Sequence, residues 1–339
     1  MRCLALAQAW YDHMSDASAV TFICACLPEA LEKRLTGEGF RVLRIAGEPG
    51  NRDDIQRTTE ILQQVDIAHS WMVLDGYRFD LSYQLAMRET RIKLLVIDDY
   101  HHLGRYQCDI LVNQNIGSES IVYRINDDAR QLCGLDFTLL RRDFLLASVG
   151  RKHIRPAPVA LACDKEPLNV LVTMGGGDLH GMTEYVVRAL THCDGTPLRI
   201  NIVVGAASSS YDRIRQCAST SPHHTDVLSN VKDMRTLMQW ADLAVSAAGS
   251  TCWELLLNGV PLMVLVLAEN QEGVAREMQT RGVAENLGWY YDWSDEMFLS
   301  KFNRLLHDID RREQMSVRGQ ALVDGQGCKR VLAAMKAFA

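Results

Sequence analysis

The sequence lacks several features that would each point to a particular class of protein. It has no uninterrupted apolar run near the roughly 20 residues that a membrane-spanning helix needs, no signal peptide, and no C-x-x-C pair among its ten cysteines. Its 36 basic and 42 acidic residues, a net charge of −6, form no long block of one sign. These absences exclude membrane insertion and disfavour a basic nucleic-acid-binding face. Scattered cysteines without a leader are typical of proteins whose thiols stay reduced, so we expect a cytoplasmic protein. From the charge distribution we expect no nucleic-acid partner.

The sequence also lacks a convincing set of metal ligands. Cys24 and Cys26 alternate within the predicted strand Val20–Leu27 and would share one face. We interpret them as buried core thiols, because a metal site needs further ligands at defined spacing. The chain has two histidine pairs, His101-His102 and His223-His224. Neither pair has a third ligand at helical or loop spacing, so we interpret both as solvated loop histidines and predict no metal and no other cofactor.

What the sequence does contain, over 339 residues that are 47% hydrophobic, is an alternation of two hydrophobic periods. Short β-rich runs such as Lys93–Ile97 alternate with longer amphipathic runs such as Asp80–Glu89. This succession predicts an α/β fold with parallel sheets covered on both faces. The basic, proline-bearing segment between Gly150 and Pro167 breaks the pattern and is predicted to be a linker. We therefore expect two α/β domains, residues 1–150 and 151–339, with a cleft between them.

The strongest local motif lies in residues 247–261, where a predicted strand ends at Ser246 and a helix follows a turn of small residues. Ser250 and Thr251 stand at the expected capping positions of that helix. Free backbone amides after Gly249, together with the positive end of the helix dipole, suit a diphosphate. Glu254 lies close enough to accept hydrogen bonds from both hydroxyls of a ribose. The alternative is a plain helix start with a surface glutamate.

Two further segments follow predicted strands in the same half of the chain. Gly175, Gly176 and Asp178 belong to a second glycine turn, which either lets a ligand approach the backbone or is merely tight. It is neither a G-x-G-x-x-G motif with an acidic partner nor a P-loop, which disfavours dinucleotide oxidoreductases and P-loop NTPases. Asn270-Gln271 place side-chain amides in a predicted loop after the strand Pro261–Leu265, where α/β sheets bind ligands.

Polar side chains also follow two predicted strands in the first half. Asp75 and Tyr77 come after the strand Trp71–Leu74, and Asp98-Asp99-Tyr100 come after Lys93–Ile97. Carboxylates and phenols at strand ends are candidates for orienting a sugar or a water molecule. Helix caps and turns are the alternative interpretation.

Several of these segments, in the same order over nearly the whole chain, carry a resemblance to a known family. The chain resembles the UDP-2,4-diacetamido-2,4,6-trideoxy-β-L-altropyranose hydrolases of pseudaminic acid biosynthesis, which are similar to GT-B glycosyltransferases such as the peptidoglycan N-acetylglucosaminyltransferase. The resemblance lies in residues 1–7, 74–77, 97–99, 113–115, 134–144, 173–178, 248–261, 270–271 and 324–327.

The resemblance implies a GT-B pair of Rossmann-like domains in which the second domain holds UDP. It assigns the ribose to Glu254, the diphosphate to the amides of Gly249, Ser250 and Thr251, and the nucleotide sugar to Asn270 and Gln271. Water would attack C1, and the C–O bond to UDP would break with inversion. The helix dipole and these backbone amides would stabilise the negative charge of the leaving diphosphate, so no metal would be needed.

The remaining implied residues lie in the glycine turn and in the first domain. Gly175, Gly176 and Asp178 would contact the substrate, as would Arg2. Tyr77 would face the reacting sugar, and Asp98 is a further catalytic candidate.

The beginning of the chain departs from the family pattern. Such enzymes begin with a strand and the loop Gly-x-Gly-His-x-x-Arg, whose histidine is the proposed base. Here Arg2 matches the arginine, so that histidine would precede Met1, and the chain begins directly in a predicted helix. We expect either a start assigned too late or a truncated relative that retains UDP binding. A glycosyltransferase and a sugar-nucleotide-binding protein without turnover remain alternatives.

Overall fold

The computed structural model describes residues 1–14, 19–145, 167–176, 178, 180–193, 195–205 and 210–338. The chain divides into two compact units, Met1–Leu145 with Gly325–Ala339, and Leu146–Asp324. Residues 325–339 therefore belong to the first unit, whereas the sequence analysis assigned them to the second domain. The predicted linker, apart from Pro167, lies outside the described residues.

Hydrophobic periodicity located most of the regular elements. The strands are β1 (Thr21–Cys24), β2 (Arg41–Arg44), β3 (Trp71–Asp75), β4 (Lys93–Ile97), β5 (Ile110–Asn113), β6 (Arg130–Cys133), β7 (Leu168–Thr173), β8 (Leu198–Val204), β9 (His224–Ser229), β10 (Leu243–Ala247), β11 (Leu262–Val266) and β12 (Ala284–Trp289). The α-helices are α1 (Arg2–Met14), α2 (Glu29–Gly37), α3 (Arg52–Leu62), α4 (Leu81–Glu89), α5 (Arg142–Leu145), α6 (Met182–Leu190), α7 (Tyr211–Ser219), α8 (Met234–Trp240), α9 (Thr251–Leu257), α10 (Glu269–Thr280), α11 (Asp295–His307), α12 (Ile309–Leu322) and α13 (Gly327–Lys336).

Both units are built on parallel strands, which confirms the predicted fold class. In the second unit one sheet has the order β12-β11-β10-β7-β8-β9, and every neighbouring pair is parallel. In the first unit the order β3-β4-β5-β6 forms one parallel sheet, and β1 pairs with β2 as a separate one. Since parallel strands share a direction, the carboxyl ends within each sheet meet at one edge, where α/β proteins bind ligands.

The core of the first unit depends on both ends of the chain. Ala5 and Leu6 of α1 pack with Leu95 of β4, and Val331 and Leu332 of α13 join the same buried cluster. Helix α1 also packs against β1 and β2 through its opposite side, where its buried apolar residues join a second cluster. Helix α1 therefore connects the two sheets of this unit.

The close fit of α13 explains a glycine at its beginning. A Cβ atom on Gly327 would lie 2.2 Å from the carbonyl oxygen of Thr138, which no side chain tolerates. The helix therefore docks directly against the backbone of the first unit.

The structure corrects the interpretation of two cysteines. Strand β1 ends at Cys24, which is half-buried, and Cys26 lies exposed in the bend that follows. The prediction of two core thiols on one face is therefore wrong. The nine cysteines within the described ranges are all free thiols.

No helix in the described part of the chain has the length and hydropathy of a membrane span. Among the described residues, no group of three or more His, Cys, Asp or Glu side chains is arranged like the ligands of a metal ion. A cytoplasmic location and the absence of a cofactor stay predictions.

Candidate functional site

The second unit brings the predicted nucleotide-binding segments together at the carboxyl edge of its sheet. Strands β7, β10 and β11 are neighbours, so the segments that follow them are adjacent. A Cβ atom on Gly175 would lie 3.9 Å from Oγ1 of Thr251, and one on Gly249 would lie 3.9 Å from Nε2 of Gln271. Two glycine turns and one side-chain amide therefore line the same edge.

The glycine turn after β7 has an open side. Gly175 adopts a φ of +75°, which only glycine enters at little cost. No described atom lies within 4 Å of the position that a Cβ of Gly176 would occupy. Gly205, at the end of β8, is required because its Cβ would lie 2.8 Å from the carbonyl oxygen of Gly176. Sequence reasoning missed Gly205, although a glycine directly after a strand was a usable signal.

Helix α9 positions Glu254 beside this edge. Cys252, Trp253, Leu255 and Leu256 are fully buried and fix the helix, whereas Glu254 in its first turn is half-buried. Within the described residues the Ser250 side chain makes no capping hydrogen bond, so the predicted side-chain cap is absent.

Asn270 and Gln271 lie in the first turn of α10 rather than in a loop as predicted. The side-chain oxygen of Gln271 accepts a hydrogen bond from the Leu267 amide at 2.9 Å, which orients its amide nitrogen beside Gly249.

The carboxylate of Asp178, which was predicted to contact the substrate, lies at the start of α6. Its two carboxylate oxygens accept from the amides of Met182 at 2.8 Å and Thr183 at 2.9 Å, so the carboxylate caps α6.

The carboxyl edge of the first unit holds a network of charged side chains. The Arg2 guanidinium donates to Asp75 at 2.6 Å and also to Asp99. Asp99 further accepts from the Tyr77 hydroxyl at 2.6 Å and from the Asn115 amide at 3.1 Å. Arg2 is only 16% exposed and is held by two carboxylates, so the structure gives it the place of an internal counter-ion.

Asp98 lies beneath this network and is fully buried. Its carboxylate accepts from the hydroxyls of Tyr123 at 2.7 Å and Tyr106 at 2.9 Å, from the His101 amide at 2.6 Å, and from Nδ1 of His102. Burial acts to raise the pKa of Asp98, but these hydrogen bonds outweigh it and hold the pKa below its ordinary value. Asp98 is therefore ionised at neutral pH.

Tyr77 is the exposed member of the cluster. It is 45% exposed and packs edge-to-face against Tyr100 and His102, with ring centroids 5.4 Å and 5.3 Å away. Burial of its hydroxyl and the charge of Asp99 raise the pKa of Tyr77, so the phenol remains a hydrogen-bond donor.

The structure overturns the interpretation of His102 as a solvated loop residue. Its side chain is only 10% exposed and is tied to Asp98. Sequence reasoning missed it because the feature that holds the ring is tertiary: two tyrosines and one carboxylate meet only in the folded chain.

Residues 169–323 match the model of the Glycosyltransferase family 28 C-terminal domain. The chain is 26% identical over 253 residues to the spore coat polysaccharide biosynthesis protein SpsG of Bacillus subtilis, covering 73% of this chain and 70% of that protein. It is 23% identical over 219 residues to the pseudaminic acid cytidylyltransferase and UDP-2,4-diacetamido-2,4,6-trideoxy-beta-L-altropyranose hydrolase of Helicobacter pylori. That match covers 63% of this chain and 37% of the relative.

Solved structures share the overall architecture. Acinetobacter baumannii MurG superimposes with a TM-score of 0.66 at 14% identity, covering 99% of this chain and 96% of that one. The UDP-GlcNAc 2-epimerase of Neisseria meningitidis, bound to UDP-GlcNAc, superimposes with a TM-score of 0.60 at 14% identity, covering 99% and 98%. Together with the two parallel-sheet units, these likenesses show that the chain has the two-domain, Rossmann-like GT-B fold.

Proposed function

We propose that the chain is a hydrolase that cleaves the anomeric C–O bond of a UDP-linked 2,4-diacetamido-2,4,6-trideoxyhexose, releasing UDP and the free sugar for pseudaminic acid biosynthesis. The observation that carries this proposal is the edge formed by Gly175, Gly249, Thr251 and Gln271, within the segment that matches the family 28 domain. The likeness to part of the Helicobacter pylori protein, which is a cytidylyltransferase and also the hydrolase of this UDP-sugar, supports the choice of reaction.

In this proposal the second unit holds the nucleotide. The open backbone at Gly176 admits a phosphate to the turn, and the amides after Gly249 donate to it. Glu254 accepts from the ribose hydroxyls, while Asn270 and Gln271 contact the nucleotide sugar. These donors stabilise the negative charge that develops on the leaving diphosphate.

The first unit supplies the groups that act on the sugar. Tyr77 presents an exposed phenol whose orientation is fixed by its hydrogen bond to Asp99, and Arg2 holds Asp99 in place. Asp98 is fully buried, so its catalytic contribution in this proposal is to orient neighbouring groups. Water attacks the anomeric carbon from the face opposite the departing UDP, which inverts that centre.

A glycosyltransferase is the second candidate, and the family 28 match favours it. Such an enzyme would bind the same nucleotide sugar and pass the glycosyl group to an acceptor hydroxyl instead of water. The two candidates differ only in what attacks the anomeric carbon, water or an acceptor hydroxyl. They therefore predict the same nucleotide site.

The test uses the purified 339-residue chain with UDP-2,4-diacetamido-2,4,6-trideoxy-β-L-altropyranose in H₂¹⁸O. We expect UDP release without any added acceptor and ¹⁸O at C1 of the free sugar, whose first-formed anomer is inverted by NMR. Label in a phosphate would show P–O cleavage and contradict the proposal. Release that requires an added sugar, peptide or lipid acceptor would favour the transferase, and tight UDP binding without release would indicate a binding protein.

A further inference from the structure

Three consecutive aromatic residues at the carboxyl end of β12, Trp289, Tyr290 and Tyr291, are a feature of the second unit that the proposed function does not use. The ring of Tyr290 stacks on His180, which follows the glycine turn after β7, with centroids 3.7 Å apart and an interplanar angle of 13°. The rings of Trp289 and Tyr291 stack on each other at 5.2 Å and 15°. Tyr290 also meets Tyr291 edge-to-face at 5.2 Å. These four side chains therefore form one aromatic row.

The aromatic row holds one of its rings in solvent. Tyr290 packs against the hydrophobic core of the unit, and Trp289 is half-buried. Tyr291 contacts both of these rings, yet 64% of it is exposed. An aromatic side chain that is already held in one orientation loses little conformational entropy when it binds a ligand. Tyr291 is therefore a preorganised contact surface.

Strand pairing puts the aromatic row beside the segment that the proposed function assigns to the sugar. Trp289 is the register partner of Val266 at the end of β11. The next residue, Leu267, donates its amide to the side chain of Gln271 at 2.9 Å. Trp289 therefore lies across from the backbone that positions Gln271.

The electrostatics of Tyr291 agree with this position. Partial burial raises the pKa of Tyr291, and the negative charges of Asp292 and Glu272 raise it further. Glu272 follows Gln271 in the first turn of α10. That turn is therefore within electrostatic reach of the Tyr291 hydroxyl, so Tyr291 borders the turn that carries Asn270 and Gln271.

The sugar of the proposed substrate has more apolar surface than a common hexose. It carries a methyl group at C6 and, at C4, a second acetamido group with a methyl of its own. In UDP-GlcNAc a hydroxymethyl group and a hydroxyl occupy these two positions. Methyl groups pack favourably on an aromatic ring, whereas a hydroxyl in the same place would lose its water without gaining a hydrogen bond.

We propose that Tyr291 forms a wall of the sugar site and selects the diacetamido-trideoxy sugar by packing its ring against the methyl groups of that sugar. This inference rests on the proposed nucleotide-sugar function and names a specificity residue for the same site. Trp289 and Tyr290 hold the ring in place. Tyr291 takes no part in bond making or breaking, so its contribution is to binding.

The test measures affinity, because affinity does not depend on which reaction follows. Displacement of a fluorescent UDP derivative, followed by stopped flow before turnover, gives the Kd for UDP, for the diacetamido UDP-sugar and for UDP-GlcNAc. Tyr291→Ala should raise the Kd for the diacetamido UDP-sugar by about 5- to 30-fold and leave the Kd for UDP within about twofold. The Kd for UDP-GlcNAc should rise less than about threefold, so the preference for the diacetamido sugar falls.

Two further variants separate the ring from the hydroxyl and from a general effect of exposed tyrosines. Tyr291→Phe returns a ring without the hydroxyl and should restore the affinity for the diacetamido UDP-sugar. Tyr185→Ala is the matched control, because Tyr185 is also exposed, at 42%, but lies on α6 against Arg188. It should leave all three Kd values within about twofold of wild type.

The outcomes distinguish this inference from the function on which it rests. If Tyr291→Ala binds the diacetamido UDP-sugar as tightly as wild type, or loses affinity for UDP and the UDP-sugar equally, the assignment is overturned. If the wild-type chain prefers the diacetamido UDP-sugar and only Tyr291→Ala loses that preference, the assignment stands even where no hydrolysis is seen. In that last case the hydrolase proposal alone fails.

Discussion

The carboxyl edges of the six-stranded and the four-stranded sheet are built from opposite materials. In the second unit the edge is mainly backbone, with glycines at 175, 176, 205 and 249, open space above Gly176 and the side-chain amide of Gln271 beside Gly249. In the first unit the edge is filled by side chains, with Arg2, Asp75, Tyr77 and Asp99 joined by hydrogen bonds. Backbone amides at an edge bind a diphosphate whatever sugar is attached to it. Side chains that are held by hydrogen bonds position individual groups for one particular reaction. We therefore expect substitutions in the first unit to change turnover and those in the second to change nucleotide affinity.

Removal of the Tyr77 hydroxyl should have the largest effect on turnover among the following substitutions. Tyr77→Phe should lower kcat by about 10²-fold while KM changes little, because the phenol acts mainly in the transition state. Steady-state hydrolysis of the UDP-sugar measures both constants. Tyr100→Phe, which removes a hydroxyl from the adjacent exposed ring, is the control and should stay within about threefold of wild type. An unchanged kcat in Tyr77→Phe would make Tyr77 a packing residue.

Loss of the ribose-binding carboxylate should rank second and affect binding alone. Glu254→Ala should weaken UDP binding by about 10- to 150-fold, since hydrogen bonds to a charged group contribute about 1.5–3 kcal/mol. Titration calorimetry measures the Kd, and the melting temperature checks that the fold is intact. Glu277→Ala removes a carboxylate of α10 that is ion-paired with Arg281, directly after the helix, and should leave UDP affinity unchanged. Equal affinities for wild type and Glu254→Ala would remove Glu254 from the site.

A pair of glycine substitutions tests whether the open side of the turn is the binding surface. Gly176→Ala adds a methyl group to empty space, so stability should not change, whereas UDP affinity should fall by about tenfold if a phosphate approaches there. Gly175→Ala should also lower the melting temperature, because its φ of +75° costs an L-residue about 1–2 kcal/mol. If Gly176→Ala binds UDP normally, the ligand does not contact this turn.

The pH dependence of stability is the smallest expected difference between the two units. The pKa of Asp98 is lower in the folded than in the unfolded chain, so its stabilising contribution is present above the unfolded pKa of about 3.9. That contribution is lost as the pH falls further, through the folded pKa. Below about pH 4 the first unit should therefore lose melting temperature more steeply than the second, by about 2–4 °C for each kcal/mol lost. Calorimetry of Asp98→Asn, which lacks the titrating group, should show a shallower acid dependence.

Periodicity predicted the fold well because most long helices bury one apolar face and the central strands are apolar on both faces. Strand β8 and helix α8 have the predicted bounds. Strand β12 was missed because Glu285 interrupts its apolar pattern, although the residue is buried. Its carboxylate is paired with Arg304 and Arg311, both from later helices. A charged residue is therefore tolerated in a buried strand for a reason that local sequence does not contain.

The predicted site residues also divide into those that local sequence identifies and those whose contacts are tertiary. Gly175, Gly249, Thr251 and Gln271 were found because glycine turns and strand ends are local signals, and the structure brings them together. Their binding roles stay predictions, as do those of Glu254 and Asn270. The partners of Asp178 and His102 could not be predicted, since one caps the next helix and the other depends on a tertiary network around Asp98.

The position of α13 determines the order in which the chain can complete its fold during synthesis. Val331, Leu332 and Met335 complete the core of the first unit, yet they leave the ribosome after every residue of the second unit. The second unit is thus an insertion whose sheet needs nothing that is synthesised later, while the first unit waits for its last helix. A nascent or clipped chain ending before Gly325 would leave Leu95 and Ile97 uncovered. Chaperones and proteases would then recognise the first unit of that chain, while the second unit could already be folded.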